Sequence, residues 1–207
     1  MAVVHILDSV TEWVRENICS QIKLKAPPMN ETDPTDEGYE YQLVTPAAFP
    51  LYVPASDKLP PGILSPIPSV CVRFLEGAES LTSSSGTIGM QLCFSTWDPG
   101  LHGEDIRLPK EEGGGSKSWT GPEAEAYFQR SGGGWRDAWN FVDIALRQLG
   151  NNLTVGGFSI DRKVPVKFGP LTDQGQIVEA YPLWFAWVSF SITYDLRRNT
   201  AEINHLL

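Results

Sequence analysis

The sequence predicts an α+β fold, with a mostly antiparallel sheet of about four strands and two helices packed on one face of it. Two segments place apolar residues at helical spacing, four segments alternate apolar and polar residues as strands do, and long Pro-rich or Gly-rich segments separate them. At 207 residues the chain is expected to form a single domain, residues 1–207.

The longest alternating segment runs from Ile177 to Asp195 and is predicted to be the central strand. One of its faces is apolar throughout, comprising Trp184, Ala186, Val188, Phe190, Ile192 and Tyr194. The other face is apolar at Leu183, Phe185 and Trp187 and polar at Ser189, Ser191 and Thr193. The apolar half of this second face needs a cover, either from elsewhere in the chain or from another subunit.

Two amphipathic helices are predicted. Residues 3 to 22 carry an apolar stripe opposite Asp8, Glu12, Arg15 and Glu16. The second helix, Trp135 to Leu149, has its stripe at Trp135, Ala138, Trp139, Val142, Ala145, Leu146 and Leu149. Its ends agree with this assignment, because Asp137 lies in the first turn, Arg147 in the last, and Gly150 follows where a left-handed cap is favoured.

Three further strands are predicted around the central one. Ser69 to Leu75 and Thr87 to Trp97 should pair antiparallel, and the loop from Glu76 to Gly86 looks too long for a tight hairpin. Phe158 to Phe168 should form a third strand, with Pro165 at an edge or bulge. The triplet Asp173-Gln174-Gly175 is typical of a turn leading into the central strand.

Two long segments lack a regular pattern. Residues 26–67 form a Pro-rich arm, expected to be extended and without helix or sheet, with plain disorder as the alternative. Residues 98–134 form a Gly-rich loop with a possible short helix at Pro122 to Gln129. The aromatic residues Trp119, Tyr127 and Phe128 in this loop should either fold back as a satellite cluster or contact a partner.

Composition excludes some classes of protein. The net charge of −9 argues against tight binding to phosphate backbones, which requires a surface rich in Lys and Arg. Cys19, Cys71 and Cys93 are an odd number without short spacing, so no disulfide framework is expected. Cys71 and Cys93 lie in predicted strands and are expected to be small core residues. Neither a signal peptide nor a membrane span is expected, which predicts a cytosolic protein.

No pattern predicts a catalytic or metal site, or a bound cofactor. His5, His102 and His205 are dispersed, and Gly113 to Ser118 lacks the glycine, strand and helix of a phosphate loop. The acids Asp98, Glu104, Asp105, Glu111 and Glu112 fit no calcium loop and are interpreted as a solvated acidic surface. A small hydrolase that uses these acids is the alternative hypothesis.

The order of the elements nevertheless resembles the tail terminator proteins of long-tailed bacteriophages and their defective relatives. The resemblance lies in the N-terminal amphipathic helix and in four sequences: Ile67-Pro68-Ser69-Val70-Cys71-Val72-Arg73, Phe94-Ser95-Thr96-Trp97-Asp98-Pro99-Gly100, Gly134-Trp135-Arg136-Asp137 and Tyr181-Pro182-Leu183-Trp184. It spans most of the chain outside the arm and the Gly-rich loop, which are longer than the simplest members would need.

The resemblance implies a virion protein of the tail or neck, assembled in the host cytoplasm. Such proteins form a ring, commonly of six copies, that caps the tail tube, stops its elongation and offers a joining surface to the head. Implied partners are other copies of the chain, the tail tube protein, a head-completion or connector protein, and DNA that passes without specific binding.

The expected subunit contacts are the apolar residues that the sequence leaves uncovered, namely Leu183, Phe185, Trp187, Trp119, Tyr127 and Phe128. Another neck or connector protein and a monomeric module that binds a peptide or a glycan remain alternatives.

Overall fold

The computed structural model describes residues 3–27, 42–80, 82–98, 134–178 and 180–196. Its helices are α1 (Val3–Asn17) and α2 (Gly134–Asn151), with short 3-10 turns at Cys19–Gln21 and Ser56–Lys58. Its strands are β1 (Leu24–Ala26), β2 (Gln42–Val44), β3 (Ala47–Pro50), β4 (Ser69–Ser80), β5 (Ser85–Trp97), β6 (Thr154–Val155), β7 (Phe158–Ile160), β8 (Lys167–Pro170), β9 (Thr172–Asp173), β10 (Gln176–Ile177) and β11 (Leu183–Asp195).

The main sheet has the order β3-β4-β5-β11-β7-β6, and β8 also pairs with β11. Its pairs are antiparallel except for β3 with β4, which confirms the α+β class and the mostly antiparallel sheet. The prediction of about four strands is wrong, because this sheet contains seven. The extra strands are two to four residues long, too short for a two-residue alternation to be recognised.

β11 is the central strand, as predicted, but it begins at Leu183 instead of Ile177. It pairs with β5 along its full length, from Leu183 opposite Trp97 to Asp195 opposite Ser85. Ile177 belongs to the separate β9–β10 hairpin. The predicted turn at Gln174 and Gly175 is confirmed, and both residues have the positive φ values that a tight two-residue hairpin turn requires, 48° and 83°.

The connection between β4 and β5 is shorter than predicted. β4 continues to Ser80, which pairs with Ser85, and the ladder passes through an irregularity between Phe74 and Gly77. The Gly, Ser and Glu residues after Leu75 resemble a loop, yet they pair with β5 across a bulge that shifts the register. From Arg73 to Ser80 every residue of β4 is exposed.

The predicted third strand is divided in two. β7 pairs with β11 at Ile192 and Thr193, and β8 pairs with it between Ala186 and Ser189. Pro165 lies between the two strands, where its missing N–H costs no ladder hydrogen bond.

The arm contains sheet in its described part, residues 42–67, contrary to the expectation. β2 pairs with β1, and β3 joins the main sheet parallel to β4, with Ala48 opposite Val70 and Phe49 opposite Cys71. Residues 28–41 of the arm, residues 99–133 of the Gly-rich loop with the predicted helix at Pro122 to Gln129, and residues 197–207 lie outside the described residues.

Both predicted helices are present with shifted ends. α1 ends at Asn17 and a 3-10 turn follows, so one continuous helix to residue 22 does not form. α2 continues through Gly150 to Asn151, and Gly150 is not in a left-handed conformation. The guanidinium of Arg162 donates to the carbonyl oxygens of Gly150 and Asn152, at 3.3 and 3.0 Å, and so satisfies the end of the helix in place of the predicted glycine cap.

One hydrophobic core lies between the two helices and one face of the main sheet. It includes the predicted core faces of β5 (Ile88, Met90, Leu92, Phe94) and β11 (Ala186, Val188, Phe190, Ile192, Tyr194). On α2 the stripe is rotated from the predicted one. Phe141 is fully buried with its ring centroid 4.8 Å from that of Phe94, whereas Trp135 is 42% exposed.

Candidate functional site

The outer face of the main sheet, opposite the helices, is the first candidate for an interaction surface. On β11 it carries Leu183, Phe185, Trp187, Ser189, Ser191 and Thr193, all of which are half-buried. The alternate residues from Ala186 to Tyr194 are buried in the core, as the alternation predicts. The three large apolar side chains are therefore neither fully covered within the described protomer nor fully open to solvent.

β8 supplies part of the cover over Trp187. The indole N–H donates to the carbonyl oxygen of Pro170 at 2.9 Å. Gly169 lies against the same ring, and a Cβ there would be 3.3 Å from Trp187 Cζ2. This cover comes from a short strand that was predicted as one element with β7, and Leu183 and Phe185 remain half-buried among the described residues.

The remaining predicted contact residues, Trp119, Tyr127 and Phe128, lie outside the described residues. The proposed subunit contact through them stays a prediction.

A shallow groove of about 460 Å³ lies on the polar half of the outer face. Its floor consists of small side chains contributed by three strands, namely Gly77, Thr87, Gly89, Ser189 and Ser191. Leu75 and Val164 stand at opposite sides of it. Glu76 and Lys167 are the ionisable residues of its lining, so among the described residues the groove offers its two serine hydroxyls no histidine or paired acid as a general base.

The sheet has two open edges that carry exposed apolar side chains. We define the β4 edge patch as Leu51, Tyr52, Phe74 and Leu75, which are 43 to 68% exposed. Leu51 N–H donates to the carbonyl oxygen of Val72 at 2.8 Å, which extends the β3–β4 pairing by one residue. Beyond that point no described strand pairs with the outer side of β4.

We define the β8 edge patch as Val164, Phe168 and Leu171, which are 40 to 52% exposed. β5 and β11 separate β8 from β4, so the two patches lie on opposite edges of the sheet. These residues were not predicted as contact residues, since strand register alone decides which apolar residues of a short or bulged strand remain exposed.

A largely buried ion pair connects the end of β5 to β1. Lys25 Nζ on β1 lies 2.9 Å from Asp98 Oδ1, and the Asp98 side chain is 1% exposed. The Asp98 backbone also receives the indole N–H of Trp184 at 3.0 Å and donates to the carbonyl oxygen of Pro182 at 3.0 Å. Burial and the nearby charge of Asp98 raise the pKa of Asp137, in the first turn of α2, to about 6, and Lys25 partly offsets this rise.

This ion pair bears on the hydrolase hypothesis. Asp98 is one of the five acids proposed for it, and its carboxylate is committed to a buried ion pair that joins β1 to β5. Glu104, Asp105, Glu111 and Glu112 lie outside the described residues.

Histidine and cysteine positions do not form a combined site in the described part of the chain. His5 is exposed on α1 with its ring 6.3 Å from that of Phe158, whereas His102, His205 and the segment Gly113 to Ser118 lie outside the described residues. Within the described ranges, no three His, Cys, Asp or Glu side chains lie together as metal ligands would. None of the described helices is both long and apolar enough to cross a bilayer.

A scan against protein-family models finds no matching family, and a search of curated proteins finds no similar sequence.

Proposed function

We propose that the chain is a non-enzymatic virion subunit that closes into a ring at the neck of a long-tailed phage. In this role it caps the tail tube, stops its elongation and offers the surface to which the head is joined, as a tail terminator does. The proposal combines the resemblance in element order with the distribution of apolar surface around the sheet.

The pair of opposite edge patches is the observation that carries the proposal. A head-to-tail ring buries a different surface on each side of every subunit, so its subunit needs two unlike patches on opposite sides. The β4 edge patch and the β8 edge patch meet this requirement, because they are built from different residues and two strands lie between them. Exposed apolar side chains beside an unpaired strand favour contact with another chain.

The half-buried residues Leu183, Phe185 and Trp187 offer a third contact surface, on the outer face. These residues were expected to contact another copy of the chain. Since the edge patches can provide the contacts within the ring, we assign the outer face instead to a partner above or below the ring, either the tail tube protein or a head-completion or connector protein. The acidic chain, with its net charge of −9, suits a channel through which DNA passes without binding, since like charges repel the phosphate backbone.

Oligomeric state tests the ring. Size-exclusion chromatography with light scattering is expected to detect a multimer, either for the chain alone or after addition of the tail tube protein, and negative-stain microscopy should show closed rings. Leu75→Asp on the β4 edge and Phe168→Asp on the β8 edge should each abolish closure, because each places a charge in a buried subunit contact. Leu153→Asp is the matched control, since Leu153 is 72% exposed and belongs to neither patch.

A mixing experiment tests the head-to-tail geometry. Each of the two edge variants retains one intact patch, so an equal mixture of Leu75→Asp and Phe168→Asp should form dimers through the intact pair and no larger species. Monomers in the mixture would show that the two patches do not bind each other. A wild-type chain that stays monomeric at every concentration, with tail tube protein present, would overturn the ring.

A monomeric binding module is the second candidate, favoured by the groove on the outer face. Under that reading a peptide or a glycan occupies the groove, and Gly89→Trp, which fills its floor, abolishes binding without changing the oligomeric state. A comparison of binding partners separates a terminator from another neck protein. A terminator should bind the tail tube protein, whereas another neck protein should bind a head-completion protein alone.

A further inference from the structure

Two of the three cysteines lie directly opposite each other across the β4–β5 pair. Cys71 is the register partner of Cys93, and the next residue in the same row is Trp187 on β11. Directly opposed residues of an antiparallel pair project to the same face with Cα atoms about 4.5 to 5.5 Å apart. That spacing falls within the range of about 4.4 to 6.8 Å that a disulfide spans. Both thiols are free in this structure.

The surroundings give the two sulfurs different roles. Cys71 is 2% exposed, and its sulfur accepts a hydrogen bond from Arg73 Nε at 3.4 Å. Cys93 is only half-buried, and its thiol donates to Gln91 Oε1 at 3.4 Å. Burial raises the pKa of the Cys93 thiol, while the charge of Arg73 opposes that rise. Cys93 is therefore the sulfur that a reagent in solution reaches first.

We propose that Cys71 and Cys93 form a redox-active dithiol that closes reversibly into a cross-strand disulfide when it meets a small disulfide oxidant such as glutathione disulfide. Cys93 is the entry residue and Cys71 the resolving residue. Cys71 is buried, as predicted for a small core residue, whereas Cys93 is only half-buried. Their register directs both side chains to the outer face of the sheet.

The chemistry balances in two exchange steps. The Cys93 thiolate attacks one sulfur of glutathione disulfide, which breaks the glutathione S–S bond, releases one glutathione thiolate and leaves a mixed disulfide on Cys93. The Cys71 thiolate then attacks Cys93 Sγ, breaks the mixed disulfide and releases the second glutathione. Two electrons and the two thiol protons of the protein end on two molecules of glutathione.

Cys19 provides an internal control for this chemistry. It is buried after α1, burial raises its pKa to about 12, and it belongs to the core cluster instead of the Cys71–Cys93 row. A thiol in that state is inert to disulfide exchange.

The test treats the folded full-length chain with glutathione disulfide, quenches with acid and maps the thiols by non-reducing peptide mass spectrometry. Circular dichroism verifies that the chain stays folded, and a sample unfolded in guanidinium verifies that the reagent is active. The expected product is a linked Cys71–Cys93 peptide that dithiothreitol reverses, with Cys19 unmodified. The reaction should be faster at higher pH, because the thiolate is the nucleophile.

Single variants separate the two roles. Cys71→Ser should accumulate the glutathione adduct on Cys93, because the resolving sulfur is missing, and Cys93→Ser should form neither the adduct nor the link. Cys19→Ser should behave as the wild type. A folded wild-type chain that forms no Cys71–Cys93 link, while the unfolded sample reacts, would overturn the proposal. So would a Cys71→Ser variant without the adduct on Cys93.

Discussion

Lys25 Nζ and Asp98 Oδ1 form an ion pair of 2.9 Å between residues 73 positions apart in the sequence. Lys25 belongs to β1, which follows α1 and the 3-10 turn at Cys19–Gln21, and Asp98 follows the last residue of β5. The Asp98 side chain is 1% exposed and that of Lys25 is 18% exposed, so water screens this pair only weakly. The ion pair thus connects β1 to the end of the β4–β5 hairpin.

Removing the lysine charge is expected to destabilise the fold. In Lys25→Met the aliphatic stem is retained, but the buried carboxylate of Asp98 loses its cation, and the free energy of unfolding should fall by about 3 kcal/mol. Urea denaturation measures this loss. Lys58→Met is the control, because the Lys58–Asp57 pair is exposed and its loss should change little.

The same experiment contains an internal check. The double variant Lys25→Met with Asp98→Asn should recover part of the loss, since it removes the stranded negative charge together with its partner. A Lys25→Met variant as stable as Lys58→Met would contradict the ion pair's structural role.

The pH dependence of stability should carry a contribution from Asp137. Its carboxyl keeps a proton up to a pKa of about 6 in the folded chain, against 3.8 for the ordinary group. Between these values the folded state binds more protons than the unfolded state, so this group's contribution to stability falls as pH rises from about 4 to 6. Above that window the full cost of charging this half-buried carboxyl remains.

Asp137→Asn is therefore expected to be more stable than the wild type at neutral pH, with the difference vanishing towards pH 4. Thermal unfolding measured across this pH range gives the difference curve. Asp143→Asn is the control on the exposed side of α2 and should follow the wild-type profile. A constant difference between Asp137→Asn and the wild type at every pH would refute the assignment.

Two adjacent glycines provide a matched test of the contact between the β6–β7 turn and α1. Gly156 and Gly157 both have positive φ, 58° and 86°. A Cβ on Gly156 would lie 2.6 Å from the backbone carbon and oxygen of Ser9, whereas a Cβ on Gly157 would meet nothing within 4 Å. The two positions share the backbone strain and differ in the contact with the helix.

Gly157→Ala should cost about 1 kcal/mol from the left-handed conformation alone. Gly156→Ala should cost about 1 to 3 kcal/mol more, because the helix backbone must move to admit the methyl group. Chemical denaturation of both variants provides the comparison. Equal losses would indicate that the turn does not pack on α1.

Much of the core could be predicted because the spacing of apolar residues along a long helix or strand indicates which of its faces is buried. The inward faces of β5 and β11 and both helices were identified from alternation and helical spacing, since side chains of long regular elements must repeat with the backbone. On α2 four predicted positions are buried, namely Ala138, Val142, Ala145 and Leu149, but the predicted stripe included exposed Trp135 and omitted Phe141. Only the packing of α2 on Phe94 defines its true centre.

The surface features depended on pairings that no local pattern specifies. The β4 edge patch exists because the ladder passes through a bulge and continues to Ser80. The β8 edge patch exists because a four-residue strand pairs beside Trp187. The candidate interaction surfaces therefore depend on strand register. For strands of two to four residues, the local sequence pattern is too short to predict that register.

The order of its amino acids by itself determined the α+β class, the central strand and the buried faces of the long strands and helices. Within one such element, apolar residues recur with the same period as the backbone, so the local pattern is sufficient. Tertiary structure alone decided the seven-strand order, the meeting of Lys25 with Asp98 and the alignment of Cys71 with Cys93. Each of these joins segments distant in sequence, and their proximity arises only when the strands settle into one register.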